Sequence, residues 1–261
     1  MQDDTIYIQS IINNYDMAIV PSGTFNIDAI VGLMLRSNMT LRIDGTLQAI
    51  PNDQQHYGIL KASGVTNVKI SGGIIRGERS QHTGHGGEWG DGIIVDGGSS
   101  NITIEGIRVD QCWGDGIYID NASNVAVNNI ISTMNRRQGM SVISVDGLTV
   151  TNGIFSNIGG TAPGDGIDLE TDHGDQSIMN VLIERNQFSN TVGSNVGIGS
   201  PAGVYKNIIV RGNTHDGKSQ PIWVSGSAGK LGEPLWATAL SVFKGQSWYR
   251  WWGYPRSVVL P

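Results

Sequence analysis

Between Asp91 and Glu170 the chain says nearly the same thing four times: Asp91-Gly92-Ile93-Ile94-Val95, Asp115-Gly116-Ile117-Tyr118-Ile119, Gln138-Gly139-Met140-Ser141-Val142 and Asp165-Gly166-Ile167-Asp168-Leu169. The glycines at 92, 116, 139 and 166 are 24, 23 and 27 residues apart. Self-similarity at such a period means stacked supersecondary units, each able to bury its apolar face only against its neighbours.

Two further registers run in phase with this ladder. Asn38-Met39-Thr40-Leu41, Asn67-Val68-Lys69-Ile70, Asn101-Ile102-Thr103-Ile104, Asn124-Val125-Ala126-Val127, Gly147-Leu148-Thr149-Val150, Asn180-Val181-Leu182-Ile183 and Asn207-Ile208-Ile209-Val210 each place a turn residue before an apolar, any, apolar alternation. That alternation describes one half-buried strand. Gly73-Ile74-Ile75, Gly106-Ile107-Arg108-Val109, Asn129-Ile130-Ile131 and Gly153-Ile154-Phe155 follow as the third register. Three short strands in fixed order per period of about 23 residues describe one coil of a parallel β-helix. Asn and Gly suit the corners, where left-handed backbone is tolerable for the first and cheap for the second. An antiparallel sandwich would need hairpin turns and leaves the fixed period unexplained.

The chain has 261 residues, 37 of them Gly, and only 15% are charged. A helical bundle needs Ala, Glu, Lys and Leu at helical spacing, so this composition excludes one. A net charge of −6 argues against a nucleic-acid partner, whose phosphates need a basic surface. Cys112 is the single cysteine; an internal disulfide is excluded, and its apolar setting reads as a buried structural thiol. No apolar run approaches the ~20 residues of a membrane span, and Met1-Gln2-Asp3-Asp4 is unlike a secretory signal.

Residues 4–15 read as a short amphipathic helix capped by Asp3 or Asp4, covering the open end of the stack. The expected organisation is therefore an all-β, right-handed parallel β-helix. Residues 1–37 form the cap and first strands, 38–225 the coils, and 226–261 a second cap or an aromatic binding surface. Within the last segment, 234–244 reads as a helix and 247–255 is dense in aromatics. Insertions at 76–90, 159–164 and 171–177 break the period, and in repeat proteins such loops gather on one face, often the binding face.

Stacking puts equivalent residues in columns. One column is Asp91, Asp115, Gln138 and Asp165; a second, pointing out of the same sheet, is Ile94, Tyr118, Ser141 and Asp168, with Glu170 following mid-strand. An outward face rich in Asp91, Asp115, Asp165, Asp168 and Glu170 is thus expected. Adjacent coils separate carboxylates by ~5 Å and alternate coils by ~10 Å, and paired carboxylates at such separations carry out glycoside hydrolysis. Crowding raises one pKa and so supplies an acid beside a base. The competing reading is that each Asp-Gly simply makes a corner, the carboxylate bonding turn amides. Trp89, Trp113, Tyr118, Arg137, Gln138 and His85 are the candidate substrate-binding residues. His82, His85 and Glu88, and likewise Asp172, His173 and Asp175, are weak metal signals at their spacing; no cofactor or metal is expected.

Asp3-Asp4-Thr5 with Ile8-Gln9-Ser10-Ile11-Ile12, followed by Val20-Pro21-Ser22-Gly23-Thr24-Phe25, resembles the start of pectate-lyase-superfamily β-helices. That group includes polygalacturonase-type hydrolases, polysaccharide lyases, mannuronan epimerases and phage tailspike depolymerases, and the resemblance extends from residue 3 to about 225. Polygalacturonases carry Asn-Thr-Asp-Gly, Asp-Asp, Gly-His-Gly and Arg-Ile-Lys on successive coils. Here Asp91 matches the first aspartate, Asp115 the second pair and Gln138 the histidine, while Asp168 and Glu170 stand where the substrate-holding Arg and Lys would be. Arg137-Gln138-Gly139-Met140-Ser141-Val142 is similar to the Arg-His-Gly-Phe-Asn-Val of mannuronan epimerases. Their Tyr-Gly-Phe-Asp-Pro-His signature, however, would fall on Asp91-Gly92-Ile93-Ile94-Val95-Asp96. The resemblance implies a polysaccharide depolymerase, most like a tailspike hydrolase, with a polysaccharide as partner, a homotrimer as a possible assembly, and an extracellular or virion-associated setting. A lyase or C5-epimerase using Tyr118, Arg137 or His85, and a non-catalytic glycan-binding spike, are the alternatives.

Overall fold

A computed structural model describes residues 1–199 and 202–224. The expected strands and helix are there. An α-helix, Thr5–Asn14, precedes three sheets of eight strands, and successive strands visit the three sheets in rotation. Every neighbouring pair is parallel. The chain is a parallel β-helix.

The core is built column by column. Ala18, Leu41, Ile70, Ile104, Val127, Val150, Ile183 and Val210 are register partners on successive coils of the first sheet, and all are buried. Leu33, Leu60, Ile93, Ile117, Met140 and Ile167 do the same in the third. Each such side chain contributes about 1.5–3 kcal/mol when withdrawn from water. The asparagines behave as expected at the corners: Asn38, Asn67, Asn101, Asn124, Asn180 and Asn207 hold φ between 50° and 59°. Their side-chain amides also join coil to coil, Asn67 donating to Asn38 at 2.8 Å, Asn101 to Asn67 at 3.0 Å and Asn124 to Asn101 at 3.2 Å.

The glycines of the Asp-Gly ladder have a different cause from the one expected. None of Gly92, Gly116, Gly139 and Gly166 has positive φ. A Cβ on Gly116 would lie 2.6 Å from the carbonyl oxygen of Gly139 and 2.6 Å from Asn135 Nδ2. Close approach of the next coil, not left-handed backbone, demands glycine there.

The helix closes the open end by imitating strands. Gln9 donates to Met34 O at 2.9 Å and accepts from Met34 N at 2.8 Å, occupying the edge of the third sheet. Asp4 does likewise for the second sheet, its backbone amide donating to Asn26 O at 2.8 Å and its carboxylate accepting from Asn26 N at 2.9 Å. Asp3 accepts from the Thr5 amide at 2.9 Å at the start of the helix, while Ile8 and Ile12 are buried beneath it. Unpaired edge groups are thereby satisfied within the chain. No helix among the described residues is long and apolar enough to cross a membrane. The helix and aromatic cluster expected in 226–261 lie outside the described residues.

Candidate functional site

The insertions flank one sheet. Residues 77–88 and 159–166 leave from the corner between the second and third sheets, and 170–176 from the corner between the third and first. The outward face of the third sheet therefore forms a floor, a trench by topology, between two insertion loops on one side and one on the other. Along that floor the register aligns Lys61, Ile94, Tyr118, Ser141, Asp168, Gly197 and Trp223. Ser141, Asp168 and Gly197 are buried, Asp168 being only 5% exposed. Tyr118 is half-buried and Trp223 is 45% exposed.

The corner column does not face outward as expected. Asp91, Asp115, Gln138 and Asp165 are all buried, because each turns along the axis and accepts from the backbone of the next coil. Asp91 Oδ1 takes the Asp115 amide at 2.9 Å, Asp115 Oδ1 the Gln138 amide at 2.9 Å, and Gln138 Oε1 the Asp165 amide at 2.6 Å. Asp165 Oδ1 closes the series on the Ser194 amide, with the Ser194 hydroxyl donating at 2.8 Å. The corner reading is thus realised in full, but the remaining polar atoms of Asp115 and Gln138 reach the residues of the floor. Asp115 Oδ2 accepts from Ser141 Oγ at 2.6 Å and from Arg137 Nη1 at 3.0 Å; Gln138 Nε2 donates to Asp168 Oδ2 at 2.7 Å.

Gly197 is the hinge of this crowding. A Cβ there would meet Asp168 Oδ1 at 3.0 Å and would lie closer still to Asp165 Oδ2. The two carboxylates meet over a residue with no side chain. Glu170 stands just past the strand Ile167–Leu169, half-buried, rather than mid-strand as expected. Burial pushes the Asp168 carboxyl well above the usual range, and the neighbouring charges of Asp165 and Glu170 push it further. Asp91 is likewise raised well above, by burial and then by Asp115. Burial raises Asp115 too, but Arg137, the Ser141 hydroxyl and the Gln138 amide oppose the rise. For Asp165 burial again dominates, and the Ser194 bonds oppose it. Burial works against the charged Arg137, yet the carboxylates of Asp115, Asp168 and Glu88 more than offset it.

The insertion 77–88 reaches across two later coils. His82 stacks on Trp113 with ring centroids 3.9 Å apart, and the Arg136 guanidinium lies 3.9 Å from the centroid of the same ring. With a ring and a cation each at stacking distance, both faces of Trp113 are covered, so the sugar platform expected there is occupied by the chain itself. Trp113 Nε1 donates to Gly86 O at 3.2 Å, Arg136 Nη1 to Gly87 O at 2.8 Å, and Arg79 Nη1 to Met134 O at 2.8 Å. Glu88 pairs with Arg137 at 3.3 Å. Beneath the loop, buried Glu78 accepts from Tyr57 OH and lies 3.2 Å from His82 Nδ1. Trp89 stacks on His56 at 4.2 Å and keeps 40% exposure; His85 is exposed on the loop. Cys112 is buried, and burial raises its thiol first, nearby carboxylates second. Among the described residues no three His, Cys, Asp or Glu side chains gather as a metal ion would require.

Sequence reasoning missed Gly197 and Trp223. Val196-Gly197-Ile198 and Ile222-Trp223-Val224 continue the ladder without its Asp-Gly signature, and the apolar, any, apolar spacing alone would have extended the column to them.

Comparison with known proteins agrees with the architecture. A family model described as a right handed beta helix region matches residues 24–174. YclG of Bacillus subtilis (strain 168) is 27% identical over 245 residues, covering 79% of this chain and 41% of that protein. The SPbeta prophage-derived YorA of the same organism is 31% identical over 195 residues, 60% of this chain and 33% of that one. The chain thus spans less than half the length of either relative. Among solved structures, a mutant tailspike protein of E. coli bacteriophage HK620 in complex with pentasaccharide gives a TM-score of 0.63 at 17% identity, covering 88% of this chain and 45% of that one. The mannuronan C-5 epimerase AlgE4 A-module of Azotobacter vinelandii gives 0.59 at 16%, covering 86% and 72%. Endo-xylogalacturonan hydrolase from Aspergillus tubingensis gives 0.51 at 14%, covering 89% and 75%. At these identities the likeness is one of fold.

Proposed function

The chain belongs to the right-handed β-helix family, and on that footing we propose that it is a carbohydrate-active protein that hydrolyses glycosidic bonds of a polysaccharide laid in the trench over the third sheet. One observation carries the reading: Asp168, buried in the trench floor against Asp165 and Glu170, has its carboxyl held well above the usual range. A carboxyl raised in this way holds its proton to higher pH than an ordinary aspartate, which is what a general acid for a leaving glycosidic oxygen needs. Glu170, two residues on and half-exposed, is the partner that reaches water.

The remaining acids act from behind. Asp115 has no exposed surface, so with Arg137 it fixes Ser141 and the field at the floor rather than touching the glycan. Asp165 crowds Asp168 and raises its carboxyl beyond what burial alone does. The tailspike and hydrolase likenesses support a glycan as the substrate and an extracellular or virion-associated place of work.

Asp168→Asn and Glu170→Gln are each expected to lower turnover by about a hundredfold or more, read by mass analysis of products from a polysaccharide the wild type cleaves. Full activity in both variants would overturn the assignment. An unsaturated, ultraviolet-absorbing product would replace hydrolysis by elimination. Against elimination stands Tyr118: burial first, then Asp120 and Asp172, push its hydroxyl upward, so it holds its proton rather than taking one.

A further inference from the structure

We infer that the sugar rings occupying the trench carry no acidic group, an inference that rests on the glycan-acting reading above and narrows its substrate class. The cations near the trench are already committed. Arg137 is held by Asp115 at 3.0 Å and Glu88 at 3.3 Å. Arg136 covers Trp113 and donates to Gly87 O; Arg79 donates to the carbonyls of Met134 and Gly159. Lys61 stands on the floor column but four rungs from Asp168, about 19 Å at the strand spacing, and donates to Val31 O at 3.1 Å. Among the described residues Arg137 is the cation whose charge reaches Asp168, and Asp115 and Glu88 already pair with it.

Anionic groups, by contrast, face both ends of the acid. Asp165 and Glu170 crowd Asp168, and Asp120 and Asp172 lie close enough to Tyr118 to raise its hydroxyl. A uronic acid seated there would meet like charge with Arg137 already paired, which is how a site rejects a ligand. What the floor offers instead is ring surface. Trp223, one rung past Gly197 and two past Asp168, projects 45% of its surface from the same face. With Tyr118 two rungs on the other side, it gives the acid an aromatic side chain in each direction. Aromatic faces suit the apolar faces of uncharged sugars. Gly197 between them gives the Asp165 and Asp168 carboxylates the room that a side chain would take.

The test compares neutral and N-acetylated polysaccharides with polygalacturonate and alginate, using wild-type protein for cleavage and the Asp168→Asn variant for binding of the corresponding oligosaccharides. Cleavage and binding confined to the non-acidic set are expected, with at least tenfold weaker binding by Trp223→Ala. Glu170→Lys is expected to gain at least tenfold in affinity for oligogalacturonate. Cleavage or tight binding of either polyuronate by the wild type would overturn the inference while leaving the carboxylate mechanism in place, and so would an absence of binding to every non-acidic probe. Undiminished cleavage of a neutral glycan by Asp168→Asn would do the reverse, removing the mechanism and keeping the substrate class.

Discussion

An aspartate before a glycine does two jobs in this chain, and its two oxygens divide them. One oxygen of Asp115 takes the next coil's amide at 2.9 Å while the other takes Ser141 and Arg137. Residue identity was legible in the sequence; the direction of the side chain was not, because pointing along the axis or out of the sheet depends on which amide lies above, and that amide is 23 residues away. The cost of such burial falls on Asp168. Unfolded, it ionises near the ordinary ~3.9; folded, its pKa is well above that. Its contribution to stability is therefore complete below the unfolded value and is lost as the pH rises through the folded one. Asp168→Asn is expected to stabilise the protein by about 1 kcal/mol near pH 7.5, in the usual trade between function and stability. The gain should vanish near pH 4. Denaturant unfolding at the two pH values measures it, and equal gains at both would refute the charge explanation.

At the scale of the element, strands and corners were readable because each is repeated: apolar alternation marks the strand, and Asn or Gly marks the turn before it. The insertion 77–88 has no repeat to compare with. Its anchors are pairs far apart in sequence, His82 with Trp113 and Arg79 with Gly159, so Trp113 looked like a free aromatic platform when it is the loop's fastening. Removing it should release the loop without unwinding the coils. Trp113→Ala is expected to reduce hydrogen-exchange protection over 79–89 by about tenfold, as for a locally opening segment, while amides of the strand Ser99–Glu105 keep theirs. Loss of protection in both regions together would show that the ring holds up the coils as well.

For the whole molecule, stability is close to a sum over coils and their interfaces, and the ends are the weak points. Ile12 is fully buried where the helix meets the first coil. Ile12→Ala is expected to cost about 2–5 kcal/mol and to fray the chain from that end. Exchange should quicken first in the strand Met17–Val20 and last in Ser177–Glu184; uniform quickening would mean that the solenoid melts as one unit. The same linear construction gives the trench a scale. Gly197 and Trp223 stand one and two coils beyond Asp168, and each coil advances about 4.8 Å. Position along the floor is therefore graduated, like marks on a ruler. Excising or duplicating one complete coil between Asp168 and Trp223 would move the aromatic side chain by one graduation and leave every other row intact, so under the proposed hydrolysis the length of the released fragment would follow the number of coils between the two rather than the shape of any one of them.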